Sequence, residues 1–188
     1  MIMAAGRIII FSAPSGCGKS TIISALRDRG DIDMRFSVSA TNRPPREGET
    51  DGVHYHFLST ADFRARIAAG EFVEYEEVYP GRFYGTLRSE IDRILDSGHN
   101  CVLDIDVKGA LNVKRLYGGR ALSIFILPPS LDELRRRLEG RGTEDSEWIE
   151  KRLSKAQWEI DFAPQFDHRV VNDDLDSAVA EVAALIKD

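Results

Sequence analysis

Four consecutive apolar residues, Ile8-Ile9-Ile10-Phe11, lead through Ser12 into Ala13-Pro14-Ser15-Gly16-Cys17-Gly18-Lys19-Ser20-Thr21. A short apolar run of this kind reads as a strand buried on both faces. Beyond the glycines, Ile22, Ile23 and Leu26 take helical spacing, which predicts a helix over Thr21 to Arg29. Buried strand, glycine-rich turn and helix together are the context of a phosphate-binding loop. Gly16 and Gly18 let the backbone curl so that successive N–H groups point at one anion. The helix start adds unpaired N–H groups and the positive end of its dipole. In that arrangement Lys19 reaches the β- and γ-phosphates of a nucleotide, and the Ser20 hydroxyl ligates Mg²⁺. Ala13 stands where the motif has its first glycine, and a small residue with negative φ can serve there. The alternative is an ordinary turn whose glycines merely make the bend, and Gly-x-Gly-Lys-Ser-Thr after a buried strand disfavours it.

With 188 residues, the chain is expected to form one compact domain with small insertions. Hydrophobic residues at 43% and charged residues at 30% are ordinary for a soluble globular protein. A net charge of -6, with no offsetting basic run, argues against nucleic acid as the partner. No apolar stretch approaches the length of a membrane span, and Met1 to Arg7 lacks the layout of a signal peptide. The two cysteines, Cys17 in the loop and Cys101 in an apparent strand, exclude a disulfide framework or a four-cysteine zinc lid. A cytoplasmic location is the expectation, with neither membrane nor nucleic acid as partner.

Along the chain, Met34 to Ser39 alternates as a short strand, and Thr41 to Gly52 reads as an exposed loop in which prolines hold Arg43 and Arg46. Val53 to Phe57 alternates again, and Thr60 is expected to cap a helix ending before Gly70. Phe72 to Tyr75 and Arg82 to Thr86 flank a turn at Pro80-Gly81, so Ser37 to Thr86 looks like a small, partly antiparallel insertion. Leu87, Ile91, Ile94 and Leu95 give one helical face. Cys101 to Asp106 is a buried strand with acids at its carboxyl end, where α/β sheets carry their ligands. One of these acids can hold water on Mg²⁺, as a second-strand aspartate does in P-loop enzymes, and Asp104 is the candidate. Ala121 to Leu127 is a further strand, and Ser130 with Glu133 makes a capping box. Arg135, Arg136, Arg137, Arg141 and Arg152 gather around Gly140-Arg141-Gly142-Thr143. Glycines on both sides of Arg141 suggest a hinge carrying a cation over a bound phosphate.

The chain resembles the guanylate kinase family of P-loop nucleoside monophosphate kinases from Ile8 to Ile186. The resemblance rests on Ser37-Val38-Ser39 through Arg43-Pro44-Pro45-Arg46, Gly48-Glu49 to Tyr55, and Tyr84-Gly85-Thr86. It extends through Leu103-Asp104-Ile105-Asp106, Leu138-Glu139-Gly140-Arg141-Gly142-Thr143, and Val171-Asn172-Asp173-Asp174-Leu175. It implies an α/β fold: a P-loop NTPase core with a parallel sheet between helices, a small mixed α+β monophosphate-binding insertion, and a helical lid. The corresponding divisions are a core of residues 1–36, 99–129 and 165–188, an insertion of 37–98 and a lid of 130–164.

By that resemblance the reaction is Mg²⁺-assisted transfer of the ATP γ-phosphoryl to GMP, and dGMP as well. ATP would be held by Ala13, Pro14, Ser15, Gly16, Cys17, Gly18, Lys19, Ser20, Thr21, Arg137, Arg141 and Asn172. Arg43, Arg46, Tyr55 and Tyr84 would hold the GMP phosphate, and Ser39, Glu74, Thr86 and Asp106 the guanine. Lys19, Arg43, Arg141 and Arg152 would screen charge during transfer. A Glu74 carboxylate matches the N1–H and N2–H₂ donors of guanine, whereas adenine presents an acceptor at N1. Such a mismatch costs roughly 10⁴-fold in discrimination. Ser39 and Thr86 hydroxyls can donate to O6. Three positions depart from the family pattern: Ala13, Lys108 in place of glutamine, and one extra residue in Tyr79 to Phe83. A catalytically silent guanylate-kinase-like binding module is the alternative, but Lys19, Ser20 and the arginines of the lid are intact.

Overall fold

The computed structural model describes residues 6–140 and 146–188. Nine strands and seven α-helices are described: β1 (Ile8–Ser12), α1 (Lys19–Arg29), β2 (Arg35–Phe36), β3 (Ala40–Thr41), β4 (His56–Phe57), α2 (Thr60–Ala68), β5 (Phe72–Tyr79) and β6 (Arg82–Leu87) come first. Then follow α3 (Arg88–Asp96), β7 (Cys101–Asp104), α4 (Val107–Tyr117), β8 (Ala121–Leu127), α5 (Leu131–Glu139), α6 (Ser146–Ile160), β9 (His168–Val171) and α7 (Leu175–Lys187).

One sheet has the strand order β2-β7-β1-β8-β9, with β2/β7 and β8/β9 parallel. Every residue of β1 is buried, and Ser123 through Ile126 of β8 are buried too. Continuous apolar strands of this kind are what a sheet covered on both faces requires. A second sheet has the order β4-β3-β6-β5, in which β6 pairs antiparallel with both neighbours and β3/β4 are parallel. Strand β5 forms its edge and leaves Tyr75, Val78 and Tyr79 exposed.

The described chain divides into two compact units. One takes the chain up to Ile8 with Met34–Leu103 and Asn112–Ala121, and so holds all of the expected insertion, 37–98. Its small core stacks Phe63 on Phe72 and Phe83, at ring separations of 4.3 and 5.4 Å, beside Ala40 and Leu87. The other takes Ile9–Asp33, Asp104–Leu111 and the chain from Leu122 onward. In it α7 packs against α1, and Lys187 reaches Asp31 just past the end of α1 at 2.7 Å.

Several expected boundaries move for local reasons. The strand expected over Met34 to Ser39 keeps only Arg35 and Phe36. That expected over Val53 to Phe57 keeps only His56 and Phe57, because Val53 and His54 donate back to the Thr50 carbonyl in a turn. Ser59, one residue before the expected cap, accepts the Asp62 N–H at 3.0 Å and starts α2. Ser130 caps α5 as expected, and of the two candidates Asp174 caps α7. The loop expected to be exposed, Thr41 to Gly52, buries Thr41 completely and leaves Arg43 only 6% exposed. Strand β7 stops at Asp104, because the Asp106 carboxylate accepts the Gly109 N–H at 2.7 Å and caps α4.

Phe63→Ala removes the ring at the centre of the small core and is expected to cost about 3–5 kcal/mol. Urea unfolding followed by tyrosine and tryptophan fluorescence would read that loss.

Candidate active site

Gly16 and Gly18 both have positive φ, 92° and 85°, which side-chain-bearing residues rarely adopt. The turn between β1 and α1 needs both. Gly18 is the residue at the helix start, and no side chain caps α1. The first-turn N–H groups are thus left to an anion, together with the dipole. The loop lines a cavity of about 420 Å³ with Asp104, Ile105, Asp106 and Glu159. Lys19 forms an ion pair with Asp104 at the carboxyl end of β7.

Other side chains hold the loop in this shape. Asn172, buried just after β9, donates from its side-chain amide to the Cys17 carbonyl at 2.8 Å. Any Cβ on Gly18 would collide with that amide, so the glycine serves close approach as well as φ. Arg137 donates to the Asn172 carbonyl at 3.0 Å and to Glu133 at 3.1 Å. Arg152 reaches the Ser15 hydroxyl at 3.3 Å. Ser20 and Thr21 open α1 and are exposed, whereas Pro14 and Cys17 are buried. Arg141 lies outside the described residues. Sequence reasoning missed Glu159, a carboxylate only 7% exposed that lines the cavity. Its signal was available: it lies three residues after buried Ala156, on the inward face of α6.

In the first unit, Arg43 is held by Glu49 through two hydrogen bonds, NH1 to Oε2 at 2.7 Å and NH2 to Oε1 at 2.8 Å. Its guanidinium lies 5.2 Å over the Tyr55 ring and 5.6 Å over Phe57, and Tyr84 meets the edge of Tyr55. Glu49 also accepts the Arg46 N–H at 2.7 Å, and these donors, Arg43 first, hold its carboxyl at about 2. The Arg46 side chain is exposed, and Ser39 is half-buried.

Glu74 and Thr86 face each other across β5 and β6, and the Thr86 hydroxyl donates to Glu74 at 2.5 Å. Thr86 is expected to donate to a guanine O6, and in this structure its hydroxyl donates to Glu74. Gly85 makes the pair possible, since a Cβ there would stand 2.7 Å from the Glu74 carbonyl oxygen. Asp106 lies in the second unit, lining the loop cavity, and its carboxylate caps α4.

Lys108 lies 5.3 Å over the Trp158 ring, and Lys151 lies 5.2 Å over Trp148. Both tryptophans are exposed. Among the described residues no three His, Cys, Asp or Glu side chains could hold a metal ion together.

An uncapped glycine loop, a loop lysine and a strand-end carboxylate define a P-loop nucleotide-binding enzyme of the phosphoryl-transferring class. The family model for guanylate kinase matches residues 5–188, and the chain belongs to that family. It is 55% identical over 183 residues to a guanylate kinase of Bacteroides thetaiotaomicron, covering 97% of this chain and 89% of that one. With a guanylate kinase of Salinibacter ruber the identity is 58% over 180 residues, covering 96% and 95%. The crystal structure of guanylate kinase from Anaplasma phagocytophilum superposes with a TM-score of 0.72 at 30% identity, covering all of this chain and 88% of that one.

Burial pushes the Cys17 thiol up to about 12, with Arg137 opposing and Glu159 adding to the shift. The structure buries this thiol completely and keeps it protonated. At pH 8 a thiol reagent should therefore leave folded Cys17 unmodified for hours, and urea should release it. Rapid labelling of the native protein at Cys17, read by peptide mass spectrometry, would contradict this burial.

Proposed function

We propose that this protein transfers the γ-phosphoryl group of ATP to GMP, giving ADP and GDP. It is an ATP-dependent phosphotransferase of the guanylate kinase family. The observation that carries the reading is an uncapped phosphate loop, with Lys19 and Ser20 in place, in a chain that also pairs Glu74 with Thr86.

In this mechanism the loop N–H groups and Lys19 hold the ATP phosphates, and Arg137 with Asn172 keeps the loop in its curled shape. Lys19 leaves Asp104 for the β- and γ-oxygens as the nucleotide enters. The Ser20 hydroxyl is an oxygen donor suited to a hard cation and would hold Mg²⁺, with Asp104 acting on it through water. When bound, Mg²⁺ neutralises charge on the transferring phosphoryl group.

GMP would occupy the first unit. Arg43, Arg46, Tyr55 and Tyr84 hold its phosphate, since guanidinium and phenol groups suit phosphate oxygens. Glu74 accepts from guanine N1–H and N2–H₂, with Ser39 and Thr86 beside the base. The insertion 37–98 and a lid of 130–164, with Arg141 and Arg152, would close over the two nucleotides and exclude water. No covalent intermediate with the protein is required. Positioning two mutually repelling anions accounts for much of the rate enhancement.

The test is ADP formation from ATP and Mg²⁺ across GMP, dGMP, AMP, CMP and UMP. Turnover with GMP and dGMP alone is expected. Lys19→Ala should lower kcat by about 10²-fold or more, and Glu74→Gln should erode guanine preference by about 10²-fold or more. Folded protein that turns over none of the five would instead support a silent binding module.

A further inference from the structure

An arginine offers two edges to a planar anion: an end-on fork of NH1 and NH2, and a side-on pair of Nε and NH2. In Arg43 the fork is fully taken. NH1 donates to Glu49 Oε2 and NH2 to Glu49 Oε1, and the second NH1 hydrogen goes to the Pro44 carbonyl at 2.9 Å. The hydrogens not given to Glu49 or Pro44 lie on the side-on edge, and the Tyr84 hydroxyl is a further hydrogen-bond partner of the guanidinium. There the Nε–H is buried and has no partner among the described residues, in a side chain only 6% exposed. A buried N–H of a charged group without an acceptor is costly and rare in native proteins. The ring of Tyr55 and the hydroxyl of Tyr84 stand against the same guanidinium.

We propose that Glu49 is a positioning residue for the substrate phosphate, acting through Arg43. By claiming the fork, Glu49 fixes the guanidinium plane and turns the side-on edge, with its unsatisfied Nε–H, toward an oxygen of the nucleoside monophosphate. The inference rests on the reading that GMP binds in this unit and goes one step beyond it. It also divides the work between the two arginines. Arg43 is charge-compensated by Glu49 and supplies direction, while the exposed Arg46 side chain supplies net attraction. Glu49 further accepts the Arg46 N–H, so one carboxylate sets the spacing of both.

The experiment compares GMP with guanosine, which carries the base without the phosphate. Glu49→Gln breaks the two-point grip while keeping the size of the side chain. It should raise Kd and KM for GMP about ten- to a hundredfold, because misplacing a binding group by an ångström has effects of that order. Guanosine affinity and the KM for ATP should stay within about twofold, as that reasoning confines the damage to the phosphate contact. A fold defect would move all of these together.

Arg43→Lys should lose GMP affinity similarly, and the double variant no more than either single one, since both act on the same contact. Should the variants not fold, wild-type protein still answers through the side-chain ¹H–¹⁵N signal of Arg43 Nε. GMP should shift that signal and guanosine should not.

Unchanged or tighter GMP binding by Glu49→Gln, additive losses in the double variant, or an Nε signal indifferent to GMP would each overturn the proposal. If wild-type protein fails to phosphorylate GMP, the functional reading falls first and the inference with it. If it phosphorylates GMP and Glu49→Gln is unaffected, the inference alone falls.

Discussion

The grip of a buried amide on one carbonyl underlies the rest of the site. Asn172 donates to Cys17 at 2.8 Å, and the glycine that follows Cys17 is what lets it approach. With that carbonyl held by Asn172, the uncapped first turn of α1 presents its N–H groups to an anion. Arg137 and Glu133 extend the same network into α5. The phosphate loop is thus shaped by its glycines and held by residues from distant parts of the chain.

The same economy appears in the first unit, where a four-stranded sheet rests on a small core. A stack of three phenylalanines supports β5 and β6. Gly85 brings those strands close enough for Thr86 to donate to Glu74. Glu49, only half-buried, orders the loop before β4 by holding Arg43 and the Arg46 backbone together. Directed hydrogen bonds here supply the precision that a larger core would otherwise provide.

Much of this was legible in the sequence, for identifiable reasons. The strand Ile8 to Phe11, the loop and its helix follow from local rules, and so does Ala121 to Leu127, because uninterrupted apolar runs mark strands covered on both faces. The short elements were misread where a polar side chain overrode the pattern. Ser59 rather than Thr60 starts α2, and Asp106 ends a strand by capping the helix that follows it. Arg43 was expected in an exposed loop, since composition alone does not reveal that Glu49 and two aromatic rings would bury it. Glu159 was passed over because an apolar helix face was read without asking what a carboxylate does on it. The contact between Cys17 and Asn172 spans 155 positions, and no local pattern encodes such a partner.

That span bears on how the chain acquires its shape during synthesis. Strand β1 is synthesised before both of its neighbours in the sheet, β7 and β8, which follow about a hundred residues later. The amide that steadies the loop arrives later still, near the end of β9. Long-range pairing of this kind forms slowly, because chain closure must precede its reward. The nucleotide-binding loop is therefore translated long before the residue that steadies it. A nascent chain stalled before Asn172 would carry the motif in full without the contact that steadies it.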